Sequence, residues 1–232
     1  MLTQLKAVKV VQMALKMISF GLKDIIFISL LIVPGLVLLT TTGDITIYFD
    51  YNVLDGQFLY ILSKFFGLYA IFFVCAQLLF GLYISLENKS NNKSEQKQLH
   101  RTFGVITLGF IVLHISLFVL AVSIRNGHFA YKLLLPNLLG NYYPFMVSLG
   151  VLAFVLIIFS VVSVLIYRKN NNVIYRWGHR LTLPAFILIL VHSYTIGSET
   201  RIFAMQCIYI LMLAGLTYFT SKILLNVSKM NL

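Results

Sequence analysis

The chain contains few charged residues, and acidic ones are especially scarce: Asp and Glu number 7 and Lys and Arg 18 among 232 residues. Charged residues make up 11% and hydrophobic ones 59% of the sequence, a balance that excludes a soluble globular domain and indicates a membrane protein with several spans. The net charge of +11 alone would suit nucleic acid. The cations flank apolar segments, however, so we predict a lipid bilayer as partner and no nucleic acid.

Cysteine is nearly absent. Cys75 and Cys207 are the two, and both lie within apolar stretches, so we predict packed thiols and no disulfide framework. No Cys-x-x-Cys-His sequence for covalent cofactor attachment occurs. A glycine-rich dinucleotide fingerprint is also missing.

Long apolar runs dominate what is present. A bilayer span needs about 20 apolar residues. Six segments qualify, at about 24–40, 58–86, 102–124, 143–167, 177–196 and 202–225. The sequence therefore predicts an all-α membrane protein with a six-helix domain over 24–225 and a short cytoplasmic tail over 226–232. Residues 1–23 are expected to form an amphipathic cytoplasmic helix or an inward extension of the first span, and Asn88–Gln98 a flexible loop.

The distribution of Lys and Arg predicts the orientation. With a cytoplasmic N-terminus, fourteen cations face the cytoplasm and four face outward, which places both termini inside and predicts a multi-pass protein of a bacterial cytoplasmic membrane. The four outward cations are Lys64, Arg125, Lys132 and Arg201. In this topology the third and fifth helices both run from inside to outside.

Four of the five histidines lie in these two helices at nearly equal spacing: His100 and His114 in the third, His179 and His192 in the fifth. Histidines at membrane depth are costly, which makes them functional candidates. A rise of 1.5 Å per residue carries the second histidine of each helix about 20 Å further out. Depth therefore pairs His100 with His179 at an inner site and His114 with His192 at an outer one.

The angular positions of the histidines around the helix axis place them on one face in the third helix but not in a straight fifth helix. Fourteen residues turn about 1400°, so His100 and His114 share a face, together with Gly104, Thr107 and Ile111. Thirteen residues leave His192 about 140° from His179 in a straight helix. Pro184 lies between them, and a kink there would correct the phase.

Two axial imidazoles fill both free positions of a haem iron, which favours electron transfer over chemistry at the metal. We therefore predict two haems b stacked between the third and fifth helices. Zinc or a di-metal site is disfavoured because these segments lack nearby Asp, Glu or Cys. Gly104 would let a flat ring approach, and Arg101 and Arg180 would pair with haem propionates or simply anchor the inner face.

Other candidates carry a structural alternative. The four outward cations would serve outer propionates or an anionic acceptor, or act as membrane anchors. Asp44, Asp50 and Asp55 would gather a ferric substrate or form turns, with turns favoured. His128 is expected to be a surface residue, and Phe110 and Phe186 would lie between the haems or pack in the core.

The chain resembles the ferric-reductase-like transmembrane domain, shared by ferric reductases, NADPH oxidases and the membrane haem subunit of a bacterial methionine-sulfoxide reductase system. The matching residues are His100-Arg101-Thr102-Phe103-Gly104 followed by His114, and Trp177-Gly178-His179-Arg180 followed by His192. The resemblance implies two haems b held by these four histidines. Larger members continue into a flavin- and nicotinamide-binding domain, whereas the methionine-sulfoxide subunits do not and tend to lack a histidine matching His100.

The sequence thus predicts a transmembrane electron-transfer subunit of an oxidoreductase. A cytoplasmic flavin- or NAD(P)H-dependent reductase, or quinol, would be the donor. Ferric iron, oxygen or an extracytoplasmic redox protein would be the acceptor. The alternatives are a cytochrome b anchor of a quinone-linked dehydrogenase and a non-redox transporter with proton-relay histidines.

Overall fold

The computed structural model describes residues 22–43, 53–86, 93–167 and 173–230. Within these ranges every regular element is a helix, in agreement with the predicted all-α class. The α-helices are α1 (Leu22–Thr42), α2 (Gln57–Leu86), α3 (Lys93–Asn126), α4 (Tyr142–Tyr167), α5 (Val173–Arg180), α6 (Thr182–Ile196) and α7 (Phe203–Met230). Short 3-10 turns cover Tyr131–Leu134 and Glu199–Arg201.

Four helices are long and apolar enough to cross a membrane, which agrees with a multi-pass membrane protein. They comprise Gln57–Leu86, Ser94–Asn126, Tyr142–Ile166 and Phe203–Leu225. Many of their large apolar side chains are exposed, including Val105, Leu165 and Leu211. Such an exposed apolar surface suits contact with lipid tails rather than with water.

The fifth predicted segment is not one continuous helix. It consists of α5 and the 15-residue α6, with Leu181 between them. Pro184 explains the break, because it has no N–H for the carbonyl of Arg180 and its ring crowds that carbonyl. The N–H of Leu181 instead bonds the carbonyl of Gly178 at 3.2 Å, which tightens the turn at the junction.

Two boundaries differ from the sequence prediction. Helix α3 begins at Lys93, so Lys93–Gln98 is helical and not a loop. Lys, Glu and Gln are good helix formers, and Glu95 in the first turn complements the positive end of the helix. Helix α7 continues to Met230, through most of the predicted tail. Outside the described residues lie 1–21 of the proposed N-terminal segment 1–23, Asp44, Asp50, and residues 88–92 of the expected loop.

The helices pack as two hairpins joined by α2 and α7. Helix α3 packs mainly on α2, and α5 and α6 pack on α4, whereas contact between α3 and α6 is slight. Helix α2 also contacts α1, α6 and α7. The shared core includes Ile71, Phe186 and Met205, each nearly or fully buried. The two helices that carry histidines are therefore held by their hairpin partners rather than by each other.

Candidate functional site

The four histidines of the predicted third and fifth spans lie on α3, α5 and α6. The ring centroids of His100 and His179 are 6.0 Å apart, and the rings are nearly perpendicular at 89°. The structure therefore brings together the two residues that depth pairs at the inner site. His114 and His192 lie further along, on α3 and α6.

His114 is held by α2 through a specific hydrogen bond. Its Nδ1 lies 2.8 Å from the carbonyl oxygen of Ser63, and the Ser63 hydroxyl bonds the His114 carbonyl at 2.9 Å. A carbonyl can only accept, so Nδ1 carries the proton in the neutral ring. Nε2 is then the unprotonated nitrogen, with a lone pair available to a metal.

His192 is held by α4 in the same way. Its Nδ1 lies 2.8 Å from the carbonyl oxygen of Met146. Nδ1–H therefore donates to the backbone, and Nε2 is again the free nitrogen. A carbonyl partner for the second ring nitrogen is the usual companion of a metal-bound histidine, because it fixes the tautomer and the ring orientation.

A glycine leaves each of these two carbonyl oxygens accessible to the imidazole ring. Gly67 lies four residues after Ser63, and Gly150 four residues after Met146. A Cβ atom on Gly67 would stand 2.7 Å from Nδ1 of His114, and one on Gly150 would stand 2.8 Å from Cε1 of His192. In an α-helix residue i+4 sits above the carbonyl of residue i, so only glycine leaves room for a ring there.

The inner histidine His100 also faces a glycine of α2, four residues after the residue that bonds it, but the hydrogen bond is of another kind. Gly81 lies against it, with a hypothetical Cβ 3.2 Å from Cε1. Gln77, four residues before Gly81, uses its Nε2 to bond the His100 carbonyl at 2.6 Å. Within the described ranges Nδ1 of His100 and Oε1 of Gln77 are buried without a hydrogen-bond partner. The imidazole of His100 is thus less constrained than those of the outer pair.

His179 is also less constrained than the outer histidines. Its Nδ1 is 3.5 Å from the hydroxyl of Ser160, at the limit of a hydrogen bond, and its ring stacks on Tyr175 with centroids 6.4 Å apart. The neighbouring Gly178 packs so closely on Ser163 that a Cβ would overlap it. Small residues therefore bring the backbone next to His179 close to α4.

The centroid separation of the inner pair is close to that expected for two imidazoles on one metal. Two imidazoles on opposite sides of one first-row metal, each about 2 Å from it, place their centroids about 6 Å apart. The observed separation is 6.0 Å. The described part of the chain contains no group of three or more His, Cys, Asp or Glu residues suited to a metal ion. Haem iron accepts two imidazoles axially, so a pair of histidines is a sufficient donor set for it.

The remaining inner-face candidates are Gly104, Arg101 and Arg180, and the two alternatives for the arginines stay predictions. Gly104 faces Gln77 of α2, and a Cβ on this glycine would be 2.8 Å from the Gln77 Nε2. The glycine therefore leaves room for the Gln77 side-chain amide. Arg101 is exposed. Arg180 lies over the Trp177 ring at 5.1 Å from the centroid. Both guanidinium groups are at the end of the bundle that carries His100 and His179.

Two of the four outer cations have a side-chain partner in the protein. Lys64 forms an ion pair with Glu199, and Arg125 bonds the Gln57 amide oxygen at 2.9 Å. Lys132, Arg201 and Asp55 are exposed. His128 is exposed as predicted, with Nδ1 3.0 Å from the Asn126 carbonyl oxygen.

The aromatic candidates pack in the core. Phe110 contacts Phe66, Tyr69 and Phe73 of α2, with centroid separations of 5.2 to 6.0 Å. Phe186 is fully buried. Cys75 is buried and Cys207 partly buried, and both are free thiols. The packing prediction for these residues agrees with the structure.

Sequence reasoning missed the residues that hold the histidines. Gly67 and Gly81 are spaced like His114 and His100, fourteen residues apart, and this match was a usable signal in the sequence. Gly150 and Glu199 gave no comparable signal, because their roles depend on which helix packs against them.

No family model, no curated protein and no solved structure matches this chain.

Proposed function

We propose that the chain is a membrane cytochrome b that conducts electrons across a bilayer through two haems. His100 and His179 would be the axial ligands of an inner haem, and His114 and His192 those of an outer haem. The observation that carries this proposal is the repeated arrangement at the outer pair, where both histidines donate Nδ1–H to a backbone carbonyl at 2.8 Å and keep Nε2 free.

The protein's contribution is ligation, orientation and exclusion of water. The carbonyl oxygens of Ser63 and Met146 accept hydrogen bonds from Nδ1–H of the outer imidazoles. Gly67 and Gly150 leave room for the rings. Such carbonyl partners fix the ring orientation and raise the basicity of the ligand. Bound haem would supply one-electron chemistry, with the iron cycling between the ferric and ferrous states.

The proposal includes a direction across the membrane. It assumes six membrane spans and places both termini in the cytoplasm of a bacterial cell. The spans are α1, α2, α3, α4, α5 together with α6, and α7. The cation distribution supports this orientation. Electrons would enter near His100 and His179 from a flavin- or NAD(P)H-dependent reductase or from quinol. They would leave near His114 and His192 toward ferric iron, oxygen or a redox protein.

We also propose membership of the ferric-reductase-like transmembrane group, on the residues around His100 and His179 that resemble it. Both histidines of each pair are present here, so the chain has a complete set of four ligands. The absence of a dinucleotide fingerprint in these residues supports a separate donor.

The test is the haem content of the purified protein, measured by pyridine haemochrome against protein mass. We expect two haems b per chain and a low-spin, six-coordinate spectrum. A ratio near one haem per chain would reject one of the two proposed haem sites. A protein without haem, reconstituted or not, would favour the rival interpretation of proton-relay histidines in a transporter.

A further inference from the structure

Glu199 is an acidic side chain buried at the outer end of the bundle. It is 2% exposed and forms an ion pair with Lys64 of α2. Its Oε1 also accepts from the Ser198 hydroxyl at 2.9 Å and from Thr41 of α1 at 3.5 Å. Lys64 in turn donates to the Ser198 hydroxyl at 2.7 Å. One carboxylate therefore connects α1, α2 and the turn between α6 and α7.

This turn is hydrogen-bonded to the last turn of α6, which begins directly after His192. The hydroxyl of Thr200 donates to the carbonyls of Gly197 at 2.6 Å and Tyr194 at 3.2 Å. The Gly197 N–H bonds the carbonyl of Ser193 at 2.9 Å. A displacement of Glu199 would therefore be passed to the residue directly after His192.

The other end of the ion pair is fixed to the second outer histidine. Lys64 directly follows Ser63, whose carbonyl and hydroxyl hold His114. Helices α3 and α6 have little direct contact, so the separation of their outer histidines depends on how each is attached to α2. A single turn of α2 thus holds His114 through Ser63 and the α6 end through Lys64.

We propose that Lys64 and Glu199 are positioning residues that set the distance between His114 and His192. The proposal rests on the proposed function only for its purpose, because the ion pair joins α2 to the turn after α6 through residues of the chain itself. We call this connection the clamp. The proposal also assigns Lys64 a protein partner in place of an anionic acceptor. Removing one partner of a buried ion pair leaves the other charge unpaired, which disturbs the structure around it.

The first measurement needs no haem. Cys75 and Cys207 are replaced by Ala, and spin labels are attached to Cys introduced by Ile124→Cys on α3 and Val191→Cys on α6, two exposed positions near the outer end. We expect one narrow distance distribution in the parent protein. Glu199→Gln and Lys64→Met should broaden or shift it, whereas Lys64→Arg, which keeps the charge, should not.

The second measurement uses the haem-loaded protein. In Glu199→Gln and Lys64→Met we expect loss of one of the two haems, or a changed electron-paramagnetic-resonance signal for that haem, with the other unchanged. The double variant should be no worse than the worse single one, since both changes break the same interaction. Gln57→Met is the matched control, because the Gln57 side chain lies at the same end of α2 but bonds Arg125 rather than Lys64 or Glu199.

These outcomes separate the two proposals. A parent protein without haem would reject the proposed function, and the label distances would still decide the clamp. Unchanged distances and an unchanged outer haem in both Glu199→Gln and Lys64→Met would overturn the clamp. If both variants fail to fold, Ser198→Ala removes only the hydroxyl shared by the pair. It should broaden the distances, and an unaltered distribution there would equally overturn the proposal.

Discussion

Gly67 lies so close to His114 that a Cβ atom on this glycine would stand 2.7 Å from Nδ1 of the imidazole. The contact exists because the ring must reach the carbonyl of Ser63, which the residue four positions later would otherwise cover. Gly150 and His192 repeat the relationship on α4. The outer histidines are therefore oriented next to two glycines, on two helices that carry no histidine themselves.

Replacing Gly67 by Ala should expel the His114 ring from its position. Overpacking of this kind costs about 1–3 kcal/mol, so thermal stability should fall and the outer haem should be lost. Gly109→Ala is the control, because a Cβ there meets nothing within 4 Å. An alanine at such a helical position gains about 0.5–1 kcal/mol. Haem-to-protein ratio and thermal unfolding of both variants provide the measurement.

Gly150→Ala should affect the same haem as Gly67→Ala, because Gly150 faces His192 and Gly67 faces His114. If the two variants altered different spectral components, the outer pairing would be wrong. Equal behaviour of Gly67→Ala and Gly109→Ala would show that the close contact does not matter.

Changes of the four histidines should remove haem in pairs. His100→Ala and His179→Ala should affect one haem, and His114→Ala and His192→Ala the other, since a bis-imidazole site cannot keep its six-coordinate spectrum with one ligand gone. Redox titration of the absorbance bands identifies the component that disappears in each variant. Loss of the same component in the His100 and His192 variants, with the His179 variant unaffected, would refute the pairing.

Pro184→Ala should disturb the phase between His179 and His192. An alanine supplies the N–H that the Arg180 carbonyl lacks, which favours one continuous helix through Leu181. In a straight helix the two histidines are about 140° apart, so one of them would leave its partner on α3. We expect the haem ratio to fall from two toward one. Pro34→Ala is the control, since Pro34 lies inside α1, a helix that bears no histidine.

Electron flow should be sided. The pure chain is expected not to oxidise NADH or NADPH, because the sequence has no dinucleotide fingerprint. In oriented vesicles a flavin reductase on the cytoplasmic side should reduce the haems, and an impermeant acceptor on the opposite side should reoxidise them. Reduction by NADH without a reductase would reveal a nucleotide site. Failure to reoxidise from outside would leave a haem protein that does not conduct across the bilayer.

The helical nature of the chain and most helix positions could be predicted from the sequence. Long apolar runs identify α2, α3, α4 and α7 to within a few residues, except at the start of α3 and the end of α7. There polar residues continue the helix, because polarity does not oppose helix formation at a membrane surface. The break near Pro184 was also predictable, since the missing N–H is a local property, although its position at Leu181 was not.

The sequence by itself determined how far apart His100 and His114 lie along α3, because that distance follows from a fixed rise per residue in one helix. Only the tertiary structure decided what holds each ring: the Ser63 carbonyl for His114, the Met146 carbonyl for His192, and a looser setting for His100. It also decided that Glu199 meets Lys64 across 135 positions of sequence. Such contacts depend on which helix faces join, and that is set by packing across the whole bundle rather than by any local pattern.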